Sequence, residues 1–269
     1  MNILEKIIAN KALEVNKSKQ LIPIRELEKS EFFERNTISI KHSLLSNDKV
    51  GIISEHKRKS PSKGIINDSL SVEFITQGYV NAGASCLSVL TDFNFFGGNK
   101  EDLQQARKAN PTIPILRKDF IIDEYQIVEA KAWGADVILL IAANLENYQL
   151  KHLAKFAKNL GLEVLMEVHD KQELLSNLDD AIDLIGVNNR NLKTFEVSIK
   201  TSLSLANDIP DQFVKIAESG LNSAKEIVIL KNAGFKGFLI GESFMKTDDP
   251  GKSCQKLVNE IVELQNARR

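Results

Sequence analysis

The chain reads Val50-Gly-Ile-Ile-Ser-Glu55-His-Lys57-Arg-Lys-Ser60-Pro-Ser-Lys-Gly64 where a short apolar run ends in a carboxylate and a dense group of cations. Side chains alternate between the two faces of a β-strand, so Glu55 and Lys57 are predicted to share one face while His56 and Arg58 share the other. Ser and Gly in the turn that follows can offer backbone N–H groups to an anion. The stretch therefore predicts a strand that presents an acid and an amine to one space.

The cations of this stretch also fit a solvated charge run, or a basic patch for nucleic acid or a targeting receptor. We favour a site, because the cations directly follow an apolar strand and a turn comes next. The 269 residues carry a formal net charge of −1, and the charges are scattered rather than grouped. This composition argues against a nucleic-acid-binding protein, whose binding face would be strongly basic.

From Lys49 onward, short apolar runs rich in β-branched residues alternate with longer amphipathic segments. Strands are predicted at residues 50–55, 85–90, 113–118, 137–141, 163–167, 184–188, 213–218 and 237–240, with helices between them. Such alternation indicates a parallel sheet. Eight units in a chain of this length fit a closed (β/α)8 TIM barrel better than an open doubly wound sheet. No G-x-G-x-x-G follows the first strand, which removes the simplest dinucleotide-binding alternative.

We expect one α/β barrel domain over residues 1–269, with residues 1–48 as an N-terminal helical extension. Apolar residues recur at helical spacing from Ile3 to Val15, and a second short amphipathic segment covers residues 21–33. The extension could plug the core of the barrel or act as a lid over a site. The sequence leaves both roles open.

The sequence predicts neither a membrane protein nor a metalloprotein. The segment after Met1 is amphipathic and lacks the apolar run of a secretory signal, and the longest apolar runs are too short to span a bilayer. Cys86 and Cys254 are far apart in sequence and are predicted to be free thiols in a reducing compartment. The four histidines lack metal-ligand spacing, so we expect no metal. A cytoplasmic protein without membrane contact follows.

Polar residues close the apolar runs at the strand ends where TIM barrels carry their chemistry. They are Glu55 with Lys57, Thr91-Asp92, Lys118-Asp119, Glu167, Asn188 and Glu218-Ser219. Any one of them could merely cap the next helix, but six at one rim indicate a catalytic site. Two lysines and three glutamates suit acid–base chemistry. Neighbouring cations or burial are expected to lower the pKa of a lysine here toward neutrality, and apolar surroundings to raise the pKa of a glutamate.

Two further groups of residues predict what the site binds. Gly220 and Gly241 follow the seventh and eighth strands, whose loops commonly form the phosphate pocket of this fold, although one such glycine is usually only a turn. Apolar side chains at the rim indicate a pocket for an aromatic group, although a Phe is more often core. These side chains are Phe93, Phe95, Phe96, Phe120, Leu139, Ile141 and Leu192.

The motifs together resemble the indole-3-glycerol phosphate synthase family. The matching segments cover residues 53–64, 88–92, 95–98, 116–120, 165–169, 185–192, 217–220 and 238–243, and the first, together with Leu116-Arg-Lys-Asp-Phe120, is highly specific. His56 and Asn99 depart from the usual family residues. The resemblance implies a carboxy-lyase of tryptophan biosynthesis that needs no cofactor. Its substrate would be 1-(2-carboxyphenylamino)-1-deoxyribulose 5-phosphate, closed to indole-3-glycerol phosphate with loss of carbon dioxide and water.

The resemblance also implies roles for individual residues. The catalytic residues would be Glu55, Lys57, Lys118, Glu167, Asn188, Glu218 and Ser219. The phosphate would lie near Lys57, Ser60, Gly220, Gly241 and Ser243, the aromatic ring near Phe96, Phe120, Leu139 and Leu192, and the leaving carboxylate near Arg190. We expect Lys118 to act as general acid on the ketone, with Glu167 opposite it for later proton transfers. We expect a monomer that can associate weakly with other enzymes of the pathway and has no nucleic-acid partner.

Two alternatives stay open at this point. Sugar-phosphate isomerases of histidine or tryptophan synthesis share the anion site of loops seven and eight, but would be expected to carry a catalytic Asp or Cys where this chain has Glu55 and Glu167. A non-catalytic barrel that binds an anionic ligand or a partner protein would not need two lysines and two glutamates facing one cavity. A turnover assay separates both from a synthase.

Overall fold

The structure, a computed structural model, describes residues 2–191 and 196–267. Within these residues, eight parallel strands close into a barrel in the order β1-β8-β7-β6-β5-β4-β3-β2. The strands are β1 (Ile52–His56), β2 (Cys86–Leu90), β3 (Ile115–Lys118), β4 (Val137–Ile141), β5 (Glu163–Val168), β6 (Leu184–Asn188), β7 (Val214–Glu218) and β8 (Gly237–Ile240). The predicted (β/α)8 TIM barrel is confirmed.

Helices connect the strands and cover the outside of the barrel. They are α4 (Val72–Asn81), α5 (Phe93–Phe96), α6 (Lys100–Ala109), α7 (Glu124–Trp133), α8 (Asn147–Asn159), α9 (Lys171–Asn177), α10 (Lys200–Leu205), α11 (Ala224–Asn232), α12 (Glu242–Met245) and α13 (Pro250–Asn266). A 3-10 turn, Ala142–Asn144, precedes α8. The side chains of Asn99, Asp170 and Ser223 accept backbone N–H bonds at the starts of α6, α9 and α11, which fixes where these helices begin.

The inside of the barrel is apolar at one end and polar at the other. Ile53, Leu116 and Leu165 belong to the buried inner cluster. Because side chains alternate along a strand, the residue two positions further on each strand points to the same interior, and these residues are Glu55, Lys118 and Glu167. The apolar inner layer therefore supports a charged layer at the carboxyl ends of the strands.

The N-terminal extension consists of α1 (Ile3–Leu21), α2 (Ile24–Leu27) and α3 (Ile40–Leu45). The sequence does not predict α3, and the predicted segment over residues 21–33 is helical only in α2 before the chain turns. Helix α3 crosses the amino ends of the strands, where its Ile40 and Leu44 join the inner cluster. The backbone N–H of Ile40 donates to Glu163 Oε2 at the start of β5. Helix α3 therefore plugs the core of the barrel, which is the first of the two roles that the sequence left open for the extension.

None of the helices in the described ranges is both long and apolar enough to cross a membrane.

Candidate active site

A cavity of about 540 Å³ opens at the carboxyl ends of the strands. The site residues implied by the family resemblance all line it where the structure describes them: Glu55, Lys57, Ser60, Phe96, Lys118, Phe120, Leu139, Glu167, Asn188, Arg190, Glu218, Ser219, Gly220, Gly241 and Ser243. Leu192, predicted near the aromatic ring, lies outside the described residues. The fold thus brings residues from all parts of the barrel to one space.

Lys118 lies at the centre of the charged layer. Its Nζ is 2.9 Å from Glu167 Oε2 and 3.1 Å from Glu218 Oε2. Both carboxylates are buried, and the Nδ2 of Asn188 donates to Glu167 Oε1 at 2.9 Å. The structure therefore brings Glu167 into a direct ion pair with Lys118, and the role expected for Glu167 in the later proton transfers stays a prediction.

The surroundings of Lys118 also decide its pKa. Burial lowers the pKa of the Lys118 amine, but the carboxylates of Glu167 and Glu218 outweigh burial, so its pKa is raised above the ordinary value. The expected lowering toward neutrality is wrong for this lysine, because its nearest charged neighbours are carboxylates rather than cations. With its partners in contact, the amine stays protonated.

The pKa values of the two carboxyl groups bound to Lys118 are shifted in opposite directions. Burial raises the pKa of Glu218 to about 7, with Lys118 opposing this shift and Glu167 adding to it. Burial also acts to raise the pKa of Glu167, but Lys118 and then His169 outweigh it, so the pKa of Glu167 is lowered. Two neighbouring carboxyl groups with pKa values moved apart can hold a proton donor and a proton acceptor in one site.

A second ion pair lies beside this group. Lys57 Nζ is 3.0 Å from Glu55 Oε1, as expected from two residues that share one face of β1. Gly241, which follows β8, leaves the room for this pair, since a Cβ there would overlap Glu55 Oε1 and lie 2.9 Å from Glu55 Cβ. The nearest effect of a side chain at position 241 is thus on Glu55, whereas the sequence assigned this glycine to phosphate binding.

Gly186 on β6 shapes the site through its neighbour, and the sequence did not predict this role. A Cβ at this position would overlap Glu218 Oε1 on the neighbouring strand. The absence of a side chain therefore makes space for a buried carboxylate. A glycine inside a predicted strand was the available signal, because it often marks a close approach by another group.

The loops after β7 and β8 line the cavity beside Ser60. Ser219 and Gly220 both have positive φ, 67° and 69°, so the chain turns sharply after β7. Ser219 is a residue that does not normally adopt this conformation. Ser243 lies in α12 directly after β8, and its Oγ donates to Asn222 Oδ1 at 2.9 Å. Backbone N–H groups in such turns and at a helix start can bind an anion.

An apolar wall completes the cavity. The rings of Phe96 and Phe120 lie 5.8 Å apart in a tilted arrangement, and Leu139 and Ile141 also line the space. Phe93 is 65% exposed and, like Phe95, does not line the cavity. The expectation for these two is wrong, because of the phenylalanines on α5 only Phe96 reaches the cavity.

Helix α1 contributes further residues that the sequence did not assign to the site. Ile3, Leu4 and Ile7 line the cavity. Their apolar spacing identified the helix but could not show which end of the barrel it would cover. The position of α1 at the cavity agrees with the second role considered for the extension, that of a cover over the site.

The fold and cavity define a (β/α)8-barrel enzyme with paired lysines and glutamates at its strand ends. The chain matches the sequence profile of the family described as "Indole-3-glycerol phosphate synthase" over residues 4–257. A relative of that name from Bacteroides thetaiotaomicron is 47% identical over 260 residues, which cover 97% of this chain and 99% of the relative. Another from Albidiferax ferrireducens is 42% identical, covering 95% and 98%.

Solved structures support the fold alone. A 3-hexulose-6-phosphate synthase from Salmonella typhimurium aligns with a TM-score of 0.62 at 12% identity, covering 79% of this chain and 99% of that one. A mutant tryptophan synthase alpha-subunit from Pyrococcus furiosus aligns with a TM-score of 0.61 at 16% identity, covering 80% and 98%.

The chain belongs to the indole-3-glycerol phosphate synthase family. Members of this family are carboxy-lyases of tryptophan biosynthesis, and the prediction that the chain is an enzyme of this class is confirmed.

Proposed function

We propose that the protein closes the ring of 1-(2-carboxyphenylamino)-1-deoxyribulose 5-phosphate to give indole-3-glycerol phosphate. The observation that carries this proposal is the group formed by Lys118, Glu167 and Glu218 inside a cavity with an apolar wall. Family membership supports the same reaction. The small phosphorylated substrate is the proposed partner. We place the reaction in the cytoplasm, and the free thiols of Cys86 and Cys254 agree with a reducing compartment.

The reaction moves protons in a fixed order. One proton goes onto the ketone oxygen as the ring carbon attacks, and the departure of carbon dioxide restores the aromatic ring. A second proton goes onto the resulting hydroxyl, which leaves as water, and one proton is removed from carbon to complete the pyrrole ring. The site therefore needs a donor used twice, or two donors, and one acceptor.

We assign the first donation to Lys118. Its ammonium group can polarise the ketone oxygen and transfer a proton to it as the carbon–carbon bond forms. In the structure its carboxylate partners hold the pKa of Lys118 high. Contact with a substrate oxygen in place of one carboxylate would lower that pKa and make the amine a better donor.

We assign the later transfers to the carboxyl groups and to Lys57. Glu167, kept ionised by its neighbours, suits removal of the carbon-bound proton. Glu218, whose pKa is raised to about 7, can carry a proton at neutral pH. Lys57 is the candidate donor for dehydration, and Glu55 holds its amine at 3.0 Å.

The remaining site residues bind and orient the substrate in this proposal. Asn188, together with Glu218, orients the ribulose hydroxyls, and Arg190 assists the departure of the carboxylate. The phosphate binds at Lys57, Ser60 and the loops that carry Gly220, Gly241 and Ser243. The aromatic ring packs on Phe96, Phe120 and Leu139, all of which line the cavity.

The test is direct turnover. The purified chain is incubated with the carboxyphenylamino-ribulose phosphate, and indole fluorescence is followed beside a Lys118→Ala variant. We expect fluorescence to rise with the wild-type chain and to be lost in the variant. No product from a folded wild-type chain would reject the reaction and leave a binding protein or a sugar-phosphate isomerase to be tested.

A further inference from the structure

His169 lies directly after β5, between two carboxylates. Its Nε2 is 3.4 Å from Glu167 Oε1, and its Nδ1 is 3.2 Å from Glu173 Oε2. Glu173 also accepts the backbone N–H of His169 at 2.7 Å, which holds the residue at the start of α9. The imidazole thus joins α9 to the carboxylate that contacts Lys118.

The surroundings of this imidazole are acidic. Glu167 faces it from β5, Glu173 from α9, and Glu218 acts on it from β7. The His169 side chain is only 12% exposed, so these charges are weakly screened. Burial lowers the pKa of His169, but the hydrogen bond to Glu173 and the charge of Glu167 outweigh it, and the pKa is raised. The raised pKa favours the charged form of the ring, in which each nitrogen carries an N–H.

We propose that His169, held by Glu173, is a positioning residue that keeps the Glu167 carboxylate ionised and correctly oriented. This inference rests on the proposed function and deepens it. In the free protein Glu167 accepts hydrogen bonds from Lys118 on Oε2 and from Asn188 on Oε1, and His169 Nε2 lies 3.4 Å from Oε1, within ion-pair distance. When Lys118 turns to the substrate, Glu167 loses one of its two cations. His169 is the cation that stays.

The consequence for the reaction lies in the timing of the proton transfers. A buried carboxylate without a cation takes up a proton more readily, because burial disfavours its charged form. Glu167 would then be neutral at the step where it must accept a proton from carbon. The imidazolium prevents this by remaining next to Oε1 after Lys118 has moved. Glu173 acts one step further away, by fixing the ring and favouring its charge.

The test compares two substitutions at one position. In His169→Asn the amide nitrogen can still reach Glu173 in place of Nδ1 but cannot reach Glu167. In His169→Gln the amide nitrogen can reach Glu167 in place of Nε2 but carries no charge. We expect kcat to fall roughly 10-fold in His169→Asn with little change in KM, and less in His169→Gln. In both variants the acid limb of the kcat profile should move to higher pH, because the cation that lowers the pKa of Glu167 is gone.

A matched control exists on the surface. His152 also pairs with a carboxylate, Glu124, through Nε2 at 2.6 Å, but its side chain is 53% exposed and does not line the cavity. His152→Asn should leave kcat and the pH profile unchanged. Glu173→Gln keeps an oxygen for the backbone N–H of His169 and removes the charge, so it should reproduce the acid-limb shift in weaker form.

An unmoved pH profile in folded His169→Asn and Glu173→Gln variants would overturn the inference, even if kcat fell, because a merely structural role lowers activity without shifting the limb. Should the first variant not fold, Glu173→Gln alone decides the question. An inactive wild-type chain would instead reject the proposed function, so the two failures are distinguishable.

Discussion

Lys11 Nζ lies 2.9 Å from Asp119 Oδ1, so a lysine of the first helix forms an ion pair with the residue directly after Lys118. The same amine is 3.0 Å from Asp92 Oδ2, at the end of β2. Lys11 and both aspartates are buried. Burial lowers the pKa of Lys11, but the two aspartates outweigh it and raise the pKa above its ordinary value. A charged bond therefore ties α1 to the strand ends that carry the site.

Removal of this amine should destabilise the protein strongly. Lys11→Met leaves the buried Asp92 carboxylate without its cation and leaves Asp119 paired with Arg117 alone, and the loss of one partner from a buried ion pair costs about 3–5 kcal/mol. Chemical denaturation measures the free energy of unfolding. Lys19→Met is the matched control on the same helix. The Lys19 side chain is 43% exposed and pairs with Asp123, so its removal should cost at most about 1 kcal/mol. Equal losses in the two variants would contradict the role of Lys11.

Lys118→Ala should lower kcat by roughly 10²–10⁴-fold, because a positioned general acid usually contributes that factor to the rate. The barrel should still form, because Lys118 lies on the cavity side of the inner apolar layer, and circular dichroism checks this. Lys155→Ala serves as control, since Lys155 is exposed and pairs with Asp179 at 3.5 Å away from the cavity. Turnover near the wild-type rate in Lys118→Ala would remove Lys118 from the mechanism.

Gly186→Ala should reduce turnover through Glu218. The added Cβ would overlap Glu218 Oε1, so the carboxylate must shift, and its contact with Lys118 through Oε2 is disturbed. Kinetic measurements on Gly186→Ala, on Glu218→Ala and on the double variant form a cycle. We expect the double variant to lose no more activity than Glu218→Ala alone, because both changes act on one group. Fully additive losses would show that Gly186 acts on something else.

His56→Leu should stabilise the protein at acidic pH. His56 is buried, and neither ring nitrogen has a hydrogen-bond partner among the residues that the structure describes. Burial, with the charge of Arg58, lowers its pKa to about 4. The unfolded state, with a pKa of about 6.5, binds more protons between these values. Stability is therefore complete above pH 6.5 and falls by about 3 kcal/mol as the pH drops to 4.

Melting curves between pH 4 and pH 7 measure this effect. The wild-type melting temperature should fall faster with acid than that of His56→Leu, and the two should differ least near pH 7. His42 is exposed, so the melting temperature of His42→Leu should fall with acid as that of the wild type does. Parallel curves for wild type and His56→Leu would mean that His56 is not the group that titrates.

The sequence was sufficient for the barrel because its signals are local. Apolar runs, their spacing and the turns between them placed each strand within two residues of its observed start or end. Polar residues at run ends were also predictable, since strand ends of a parallel barrel lie at one rim. Helix α3 was missed because its six residues carry too short a pattern to separate from a linker.

The charged states of the site could not be predicted in the same way. Lys118 contacts Glu167 and Glu218, which are 49 and 100 positions away along the chain, so only the folded barrel shows that carboxylates surround it. Without those distances, burial and neighbouring cations were the available reasons for a shift, and they gave the wrong direction for its pKa. Lys11 and His169 were overlooked for the same reason, because their partners come together only in the folded chain.

The extension contacts both ends of the barrel: α3 packs into the core at the amino ends of the strands, and α1 lines the cavity at their carboxyl ends. An enzyme trimmed to its eight repeating units would lose part of its base and part of its substrate wall in one cut. We therefore expect the smallest active form of this protein to include α1 and α3 as well as the eight repeating units, and a transfer of its site to another barrel to need the extension too.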